Sequence, residues 1–120
     1  KPDNQVNQKF SREIIDVILQ KGLAEAKLKY NRRPSDFDIL EYILNTEGYE
    51  MLSQQKYEEA IAIFQMNCDA YPNSFNAFDS LGEAYMRMGD KQSAIINYRK
   101  SLALDPENAN AEDMIKQLMK

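Results

Sequence analysis

Apolar residues recur at helical spacing in two runs between residues 75 and 108, and a short polar break separates the runs. The break is Gly89-Asp90, where the glycine can take a positive φ after one helix and the aspartate can cap the next. Pro106 stops the second helix, because proline lacks a backbone N–H and restricts the residue before it. The pattern predicts a helix–turn–helix unit, and no alternating strand pattern occurs along the sequence. The apolar positions are Phe78, Leu81, Tyr85, Met88, Ala94, Ile95, Tyr98 and Leu102.

The same pattern returns at a constant offset along the chain, which indicates an internal repeat. We predict an N-terminal tail at 1–6 and then one repeat domain over 7–120. Its first unit is degenerate, because Ile14 stands where the other units have glycine. The predicted units are 7–40, 41–74 and 75–108, followed by a capping helix at 109–119 with a polar outer face. The matching positions are Ala26, Ala60 and Ala94; Tyr30, Phe64 and Tyr98; Gly48 and Gly82; and Pro72 and Pro106.

Local signals give further boundaries within these units. Asp38 followed by Glu41 predicts a capping box at the start of the second unit. A turn at Gln55-Lys56 predicts that the next helix runs from residue 57 to residue 70. Pro34 predicts an early end for the second helix of the first unit. Small residues at the glycine and alanine positions let the two helices of a unit approach closely.

The sequence resembles the tetratricopeptide repeat family. The resemblance lies in Phe78, Leu81-Gly82, Tyr85, Ala94, Tyr98 and Pro106 in the third unit, and in Leu44, Gly48, Ala60, Phe64 and Pro72 in the second. The second unit departs from the pattern, with Glu47 and Met51 where Leu and Tyr are usual. The resemblance implies an all-α solenoid of helical hairpins, stacked as a right-handed superhelix. In this family the first helix of each unit lines a concave surface where peptides usually bind.

The composition argues against catalysis. The chain has no histidine, which excludes a Ser–His–Asp triad, a Cys–His pair and a histidine-liganded metal. Its single cysteine, Cys68, is expected to be a small buried hydrophobe. No glycine-rich phosphate loop and no zinc spacing occur, so we expect no enzyme, no cofactor and no metal. The net charge of −4 argues against nucleic acid, and no apolar run is long enough to span a membrane.

The resemblance implies candidate partner contacts on the concave surface. The best-known groove of the family clamps a C-terminal carboxylate with lysine, arginine and asparagine. Here those positions hold Thr46, Asp79, Ser80 and Glu83, so the clamp is absent and a polar or basic peptide or protein is the expected partner. A solvated face would explain the same residues equally well. The candidates are Asn45, Tyr49, Ser53, Asn76, Asp79, Ser80, Glu83 and Arg87.

A second resemblance is to repeat regions at the C-terminus of some bacterial beta-lactamase-like and esterase-like serine hydrolases. It lies in residues 44–49, 57–64 and 79–85. It implies an accessory domain whose catalytic serine lies upstream of Lys1, in a periplasmic or secreted protein. If this second resemblance does not hold, we expect a cytoplasmic scaffold or protein-interaction module. The first residues show no initiator methionine and no apolar signal core, so we expect a piece of a longer polypeptide.

Charge is unevenly distributed along the chain. Residues 1–40 carry a net charge of +2, and residues 41–74 carry a net charge of −5. A basic cluster lies near Tyr30 and consists of Lys27, Lys29, Arg32 and Arg33. Surface residues that extend their charged ends into water would explain this cluster, and an anion or nucleic-acid contact is the alternative.

Overall fold

The computed structural model describes residues 4–120, and within this range all regular structure is helical. The starts of α2, α4 and α6 are evenly spaced, and the starts of α3, α5 and α7 have the same spacing. This spacing equals the offset between units in the sequence, so the sequence repeat is a repeat of helix starts. No helix within residues 4–120 is both long and apolar enough to span a membrane. The helices are α1 (Asn4–Lys21), α2 (Leu23–Asn31), α3 (Glu41–Ser53), α4 (Tyr57–Ala70), α5 (Phe75–Met88), α6 (Lys91–Leu104) and α7 (Ala109–Leu118).

Helices α1 and α2, α3 and α4, and α5 and α6 pack in pairs as helical hairpins. The second hairpin stacks on the third through α4 and α5, and the third stacks on α7 through α6. In α3 and α5 the crossing point is a glycine beneath an aromatic ring. A Cβ on Gly48 would overlap the ring of Phe64, and a Cβ on Gly82 would lie 3.1 Å from the ring of Tyr98. Both rings are buried. The small residues of the repeat are therefore needed for close helix approach, as predicted.

Side-chain and glycine caps fix several helix ends. Gly89 ends α5 with a φ of 99°, and the Asp90 carboxylate accepts the Ser93 N–H at the start of α6. Hydrogen bonds from Ser93 lower the pKa of Asp90. Ser74 caps α5 and Asn108 caps α7 in the same way, and these two residues are one repeat period apart. The equivalent position before α3 is Leu40, which has no capping side chain.

The predicted capping box at Asp38 and Glu41 is wrong. Helix α3 begins at Glu41 with Leu40 as its N-cap, so Asp38 lies outside the capping position. Two side chains of α1 bind this segment instead. Asn7 Oδ1 accepts the Asp38 N–H at 3.0 Å, and Ser11 Oγ accepts the Leu40 N–H at 2.8 Å. The chain before α3 is thus held by contacts with the first helix of the preceding unit.

The first unit differs from the predicted boundaries at its N-terminus. Residues 4–6 belong to α1, so the predicted tail is wrong for these residues, whereas residues 1–3 lie outside the described range. The early helix end near Pro34 is confirmed, because α2 stops at Asn31 and has nine residues, where α4 and α6 have 14 each. The capping helix α7 ends at Leu118, one residue before the predicted end.

Candidate functional site

Five of the eight predicted contact residues meet in one polar network between α3 and α5. The Tyr49 hydroxyl lies 3.0 Å from Glu83 Oε1 and 3.2 Å from Ser80 Oγ, and its single proton serves one of them at a time. Ser80 Oγ donates to Asn45 Oδ1 at 2.8 Å. Arg87 completes the network with an ion pair to the second oxygen of Glu83. The network joins the first helices of two successive units.

Tyr49 acts in this network as a neutral hydrogen-bond donor. Burial raises the pKa of Tyr49 to about 12; the Ser80 hydrogen bond acts against this shift, and the Glu83 carboxylate adds to it. Its ring also packs edge-to-face on Phe64, with 5.1 Å between the ring centroids. A phenol with this pKa stays protonated near neutral pH and is no general base there.

Two of the predicted contacts have structural roles within the chain. Ser80 is buried, with 1% of its surface exposed, which leaves its side chain little area for contact with a partner. Asn108 Nδ2 donates to both carboxylate oxygens of Asp79, at 3.2 and 3.1 Å. The same nitrogen lies 2.9 Å from Ser101 Oγ. Asp79 therefore helps to attach the start of α7 to α5.

The other predicted residues leave polar surface for a partner. Ser53, Asn76 and Arg87 are exposed, and Asn45, Tyr49 and Glu83 are half-buried. Ser53 Oγ donates to the Glu50 carbonyl at 2.7 Å, so its hydroxyl proton is already used. The residues of α3 and α5 thus form an open polar face around a hydrogen-bonded centre.

The same face continues onto α1, where sequence reasoning proposed no contacts. Arg12 lines two shallow depressions between α1 and α3, with volumes of about 200 and about 110 Å³, and Glu47 lines both with it. Tyr42 borders the smaller depression with 57% of its surface exposed. Arg12 precedes Ser80 by two repeat periods, and Tyr42 precedes Asn76 by one. Applying the repeat offset to the predicted contacts would have found them. We call the surface formed by these residues and those of the preceding paragraph the α1–α3–α5 face.

The one cysteine lies in the core. Cys68 is 2% exposed, and burial raises the pKa of its thiol to about 12. A thiol with this pKa is a poor nucleophile, because the reactive form is the thiolate. Within residues 4–120 no three His, Cys, Asp or Glu side chains come together in a way that would hold a metal ion.

The comparison with protein families finds a match in the third unit. Residues 75–108 match the family model described as "Tetratricopeptide repeat". The third unit is therefore similar to a tetratricopeptide repeat. The match has the same bounds as the unit that the sequence pattern delimits, and helices α5 and α6 are its two helices.

Curated relatives contain similar segments within much longer chains. Cellulose synthase operon protein C of Escherichia coli strain K12 is 40% identical over 52 residues, which are 43% of this chain and 4% of that protein. The Hsp70-Hsp90 organizing protein of Triticum aestivum is 34% identical over 58 residues, which are 48% of this chain and 10% of that protein. The chain thus spans a small fraction of these proteins.

A solved structure shows the same fold over nearly the whole chain. The first tetratricopeptide repeat domain of Spaghetti (RPAP3), bound to the HSP90 peptide SRMEEVD, superposes with a TM-score of 0.66 at 16% identity, covering 98% of this chain and 93% of that one. The all-α helical-repeat fold is thereby confirmed. The predicted resemblance to serine hydrolases, with a catalytic domain in the same polypeptide, has no support among these proteins.

Proposed function

We propose that the chain is a non-catalytic protein-interaction module that binds a peptide or protein partner on the α1–α3–α5 face. The observation that carries this proposal is the network of Asn45, Tyr49, Ser80, Glu83 and Arg87. It fixes the half-buried polar groups of α3 and α5 in one arrangement, and its outer members remain accessible. A rigid polar face of this kind binds with a smaller entropy cost, because fewer side chains must be ordered on association.

The similarity to known proteins supports the same proposal. The structural neighbour carries a bound peptide, and the wheat relative is named as an organizer of Hsp70 and Hsp90. The fold serves many partners, so these names support a class of function and identify no specific ligand. A binding module also fits a chain whose one buried thiol is held in its unreactive form.

The chemistry of the face favours a polar or basic partner over a C-terminal carboxylate. Asp16 and Glu47 line the depression between α1 and α3, and Glu83 lies at the centre of the network. The cations nearby are Arg12, which borders Glu47, and Arg87, which is already paired with Glu83. A peptide that brings lysine, arginine or free amide donors would complement these carboxylates.

Peptide selection followed by binding measurements tests the proposal. The immobilised chain is used to select from a display library of random linear peptides, and the affinity of the enriched peptides is measured by fluorescence anisotropy. We expect enrichment of peptides with basic residues. The double variant Tyr42→Ala and Glu47→Gln should bind them about tenfold more weakly, because it removes an exposed tyrosine and one of the carboxylates that would pair with the basic residues.

A matched control separates loss of the face from loss of structure. The double variant Gln92→Ala and Glu107→Gln changes two exposed residues outside the α1–α3–α5 face and alters the net charge by the same amount, and it should bind within about twofold of the unmodified chain. Far-ultraviolet circular dichroism checks that all variants are equally helical. Failure to enrich any peptide, or equal affinity of the two double variants, would refute the proposal.

A further inference from the structure

A cleft at the N-terminal end of the chain lies apart from the face just described. It is formed by α1, the last turn of α2 and the segment that follows α2, and its volume is about 320 Å³. A smaller depression of about 210 Å³ adjoins it and shares Phe10, Glu13 and Phe37. None of the predicted contact residues lines either space. We call this region the N-terminal cleft; its main lining residues are Phe10, Glu13, Lys29, Arg32, Arg33 and Phe37.

The wall of the N-terminal cleft is apolar. Phe10 and Phe37 pack edge-to-face with 5.7 Å between their ring centroids, and Pro34 lies beside them. Phe10 is buried and Phe37 is half-buried, so part of the Phe37 ring faces the open space. A volume of this size is at the lower end for ligand pockets in proteins. It suits one aliphatic or aromatic side chain better than a whole small-molecule ligand.

The rim of the cleft is basic. Lys9 and Arg32 are exposed, and neither is ion-paired with another described residue. Lys29 lies 3.9 Å from Glu13, the one acidic residue lining the cleft. Lys27, which the sequence placed in the same basic cluster, pairs instead with Asp69 at 2.8 Å. The cluster is therefore divided, and its remaining members surround the cleft.

Arg33 is held in place before any ligand arrives. Its guanidinium stacks 3.8 Å from the centroid of Tyr30, and it donates to the carbonyls of Phe37 and Tyr30 at 2.7 and 2.9 Å. A third, longer contact of 3.5 Å reaches Asp38. A guanidinium has five N–H donors, so donors are left for an incoming carboxylate. The side chain would lose little rotamer freedom on binding.

We propose that the N-terminal cleft is a second docking site, which takes a short acidic peptide segment carrying one aliphatic or aromatic anchor. The anchor packs on Phe37 and Pro34, which leave apolar surface open to the cleft. The acidic flanks meet Lys9, Arg32 and Arg33. The neighbouring residues 41–74 carry a net charge of −5, which repels a long polyanion such as nucleic acid. This site is independent of the α1–α3–α5 face, so either proposal can fail alone.

Fluorescence anisotropy with a labelled peptide, Glu-Glu-Leu-Phe-Glu-Glu, tests this proposal on the full chain at low ionic strength. The double variant Lys9→Glu and Arg32→Glu should bind about tenfold more weakly, because it replaces two attractions with two repulsions. The affinity of the neutralising variant Lys9→Gln and Arg32→Gln should lie between those of the unmodified chain and the charge-reversed variant. Replacing Leu-Phe with Ser-Ser in the peptide should weaken binding by about tenfold, since the anchor contact is lost.

The matched control has the same net charge as the charge-reversed variant. Lys91→Glu and Lys120→Glu reverse two exposed lysines in α6 and beyond α7, and this variant should bind within about twofold of the unmodified chain. Equal affinities of the two charge-reversed variants would overturn the proposal. Binding of Lys-Lys-Leu-Phe-Lys-Lys with equal affinity would also overturn it, as would no binding of the acidic peptide. Sedimentation equilibrium tests whether a second copy of the chain occupies the cleft instead. Salt-sensitive dimers that are abolished by Lys9→Glu and Arg32→Glu, together with no binding of the acidic peptide, would assign the cleft to that second copy.

Discussion

The first and third hairpins fill the same position of the repeat in different ways. In the third hairpin, α5 presents Gly82 to the buried ring of Tyr98. In the first hairpin, the equivalent position of α1 is Ile14, which is fully buried. Tyr30, the equivalent of Tyr98, is half-buried, and Arg33 covers its ring. An aliphatic side chain thus occupies the core of the first hairpin, and the aromatic ring lies nearer the surface.

This difference shows how a degenerate repeat unit can gain a binding surface. The two hairpins that are closed by an aromatic ring over glycine have helices of similar length: α3 and α4 have 13 and 14 residues, and α5 and α6 have 14 each. In the first hairpin α2 has only nine residues where α6 has 14, and Pro34 keeps the chain from continuing as a helix. The segment that follows α2 carries Arg33 and Phe37, which line the N-terminal cleft. The early end of α2 therefore accounts both for the departure of the first unit from the repeat and for the N-terminal cleft.

The largest expected effect is the removal of the aliphatic side chain from the first hairpin. Ile14→Ala should lower the free energy of unfolding by about 2–5 kcal/mol, because it removes buried methyl groups and leaves a cavity. If an aromatic ring over a small residue closed the first hairpin, as in the third, Ile14→Ala would lower the free energy of unfolding only slightly. Urea unfolding followed by circular dichroism measures the change.

Ile96→Ala is the control for this change. Ile96 is 53% exposed on α6, so its truncation should alter the free energy of unfolding by about 0.5 kcal/mol or less. Similar losses for the two variants would mean that Ile14 does not carry the packing of the first hairpin.

The helical hairpins could be predicted from sequence because their signals are local. Glycine, proline and the apolar spacing place most helix ends within a few residues, and the repeat offset aligns them. For α3, the repeat offset gives the start at residue 41 but not the contacts that hold it. Its preceding segment is bound by Asn7 and Ser11, which belong to the first helix of the preceding unit. A capping box uses only neighbouring residues, so the pattern at Asp38 and Glu41 gave no sign of this long-range contact.

The candidate contact residues come from the family resemblance and not from local signals. The resemblance to the tetratricopeptide repeat family placed Asn45, Tyr49 and Glu83 on one face, and the structure joins them through hydrogen bonds. The burial of Ser80 and the binding of Asp79 by Asn108 depend on distances between helices of different units. Those distances follow from the stacking of the hairpins, and the residue pattern within a single unit does not predict this stacking.

A smaller effect distinguishes the two hairpins that do use glycine. An alanine Cβ at Gly48 would overlap the buried ring of Phe64, whereas at Gly82 it would lie 3.1–3.2 Å from Tyr98. Alanine also favours a helix by about 1 kcal/mol relative to glycine, which offsets part of any clash. We expect Gly48→Ala to destabilise the chain by about 1–3 kcal/mol, and Gly82→Ala to change stability by less than about 1 kcal/mol.

Thermal unfolding of the two alanine variants, side by side, measures this difference, and each variant is the control for the other. Equal losses would show that the Phe64 ring moves aside as easily as the Tyr98 ring. A larger loss for Gly82→Ala would reverse the order of tightness that the structure gives to the two crossings.

The smallest effect concerns the polar network, which the first hairpin lacks because Ile15 stands where the second has Tyr49. At about pH 8, Tyr49→Phe should cost about 1 kcal/mol, because the hydrogen bond that the Tyr49 proton donates to Glu83 or Ser80 is lost. Unfolded tyrosine ionises near pH 10, and the pKa of Tyr49 is raised by burial to about 12 in the folded chain. The stabilisation by Tyr49 is therefore complete below about pH 10 and is lost as the pH rises towards 12. Urea unfolding of both chains at about pH 8 and about pH 11 should show the deficit of the variant shrinking. Comparing the same pair at both values cancels the other groups that titrate, so an unchanged deficit would mean that burial does not hold this phenol in its neutral form.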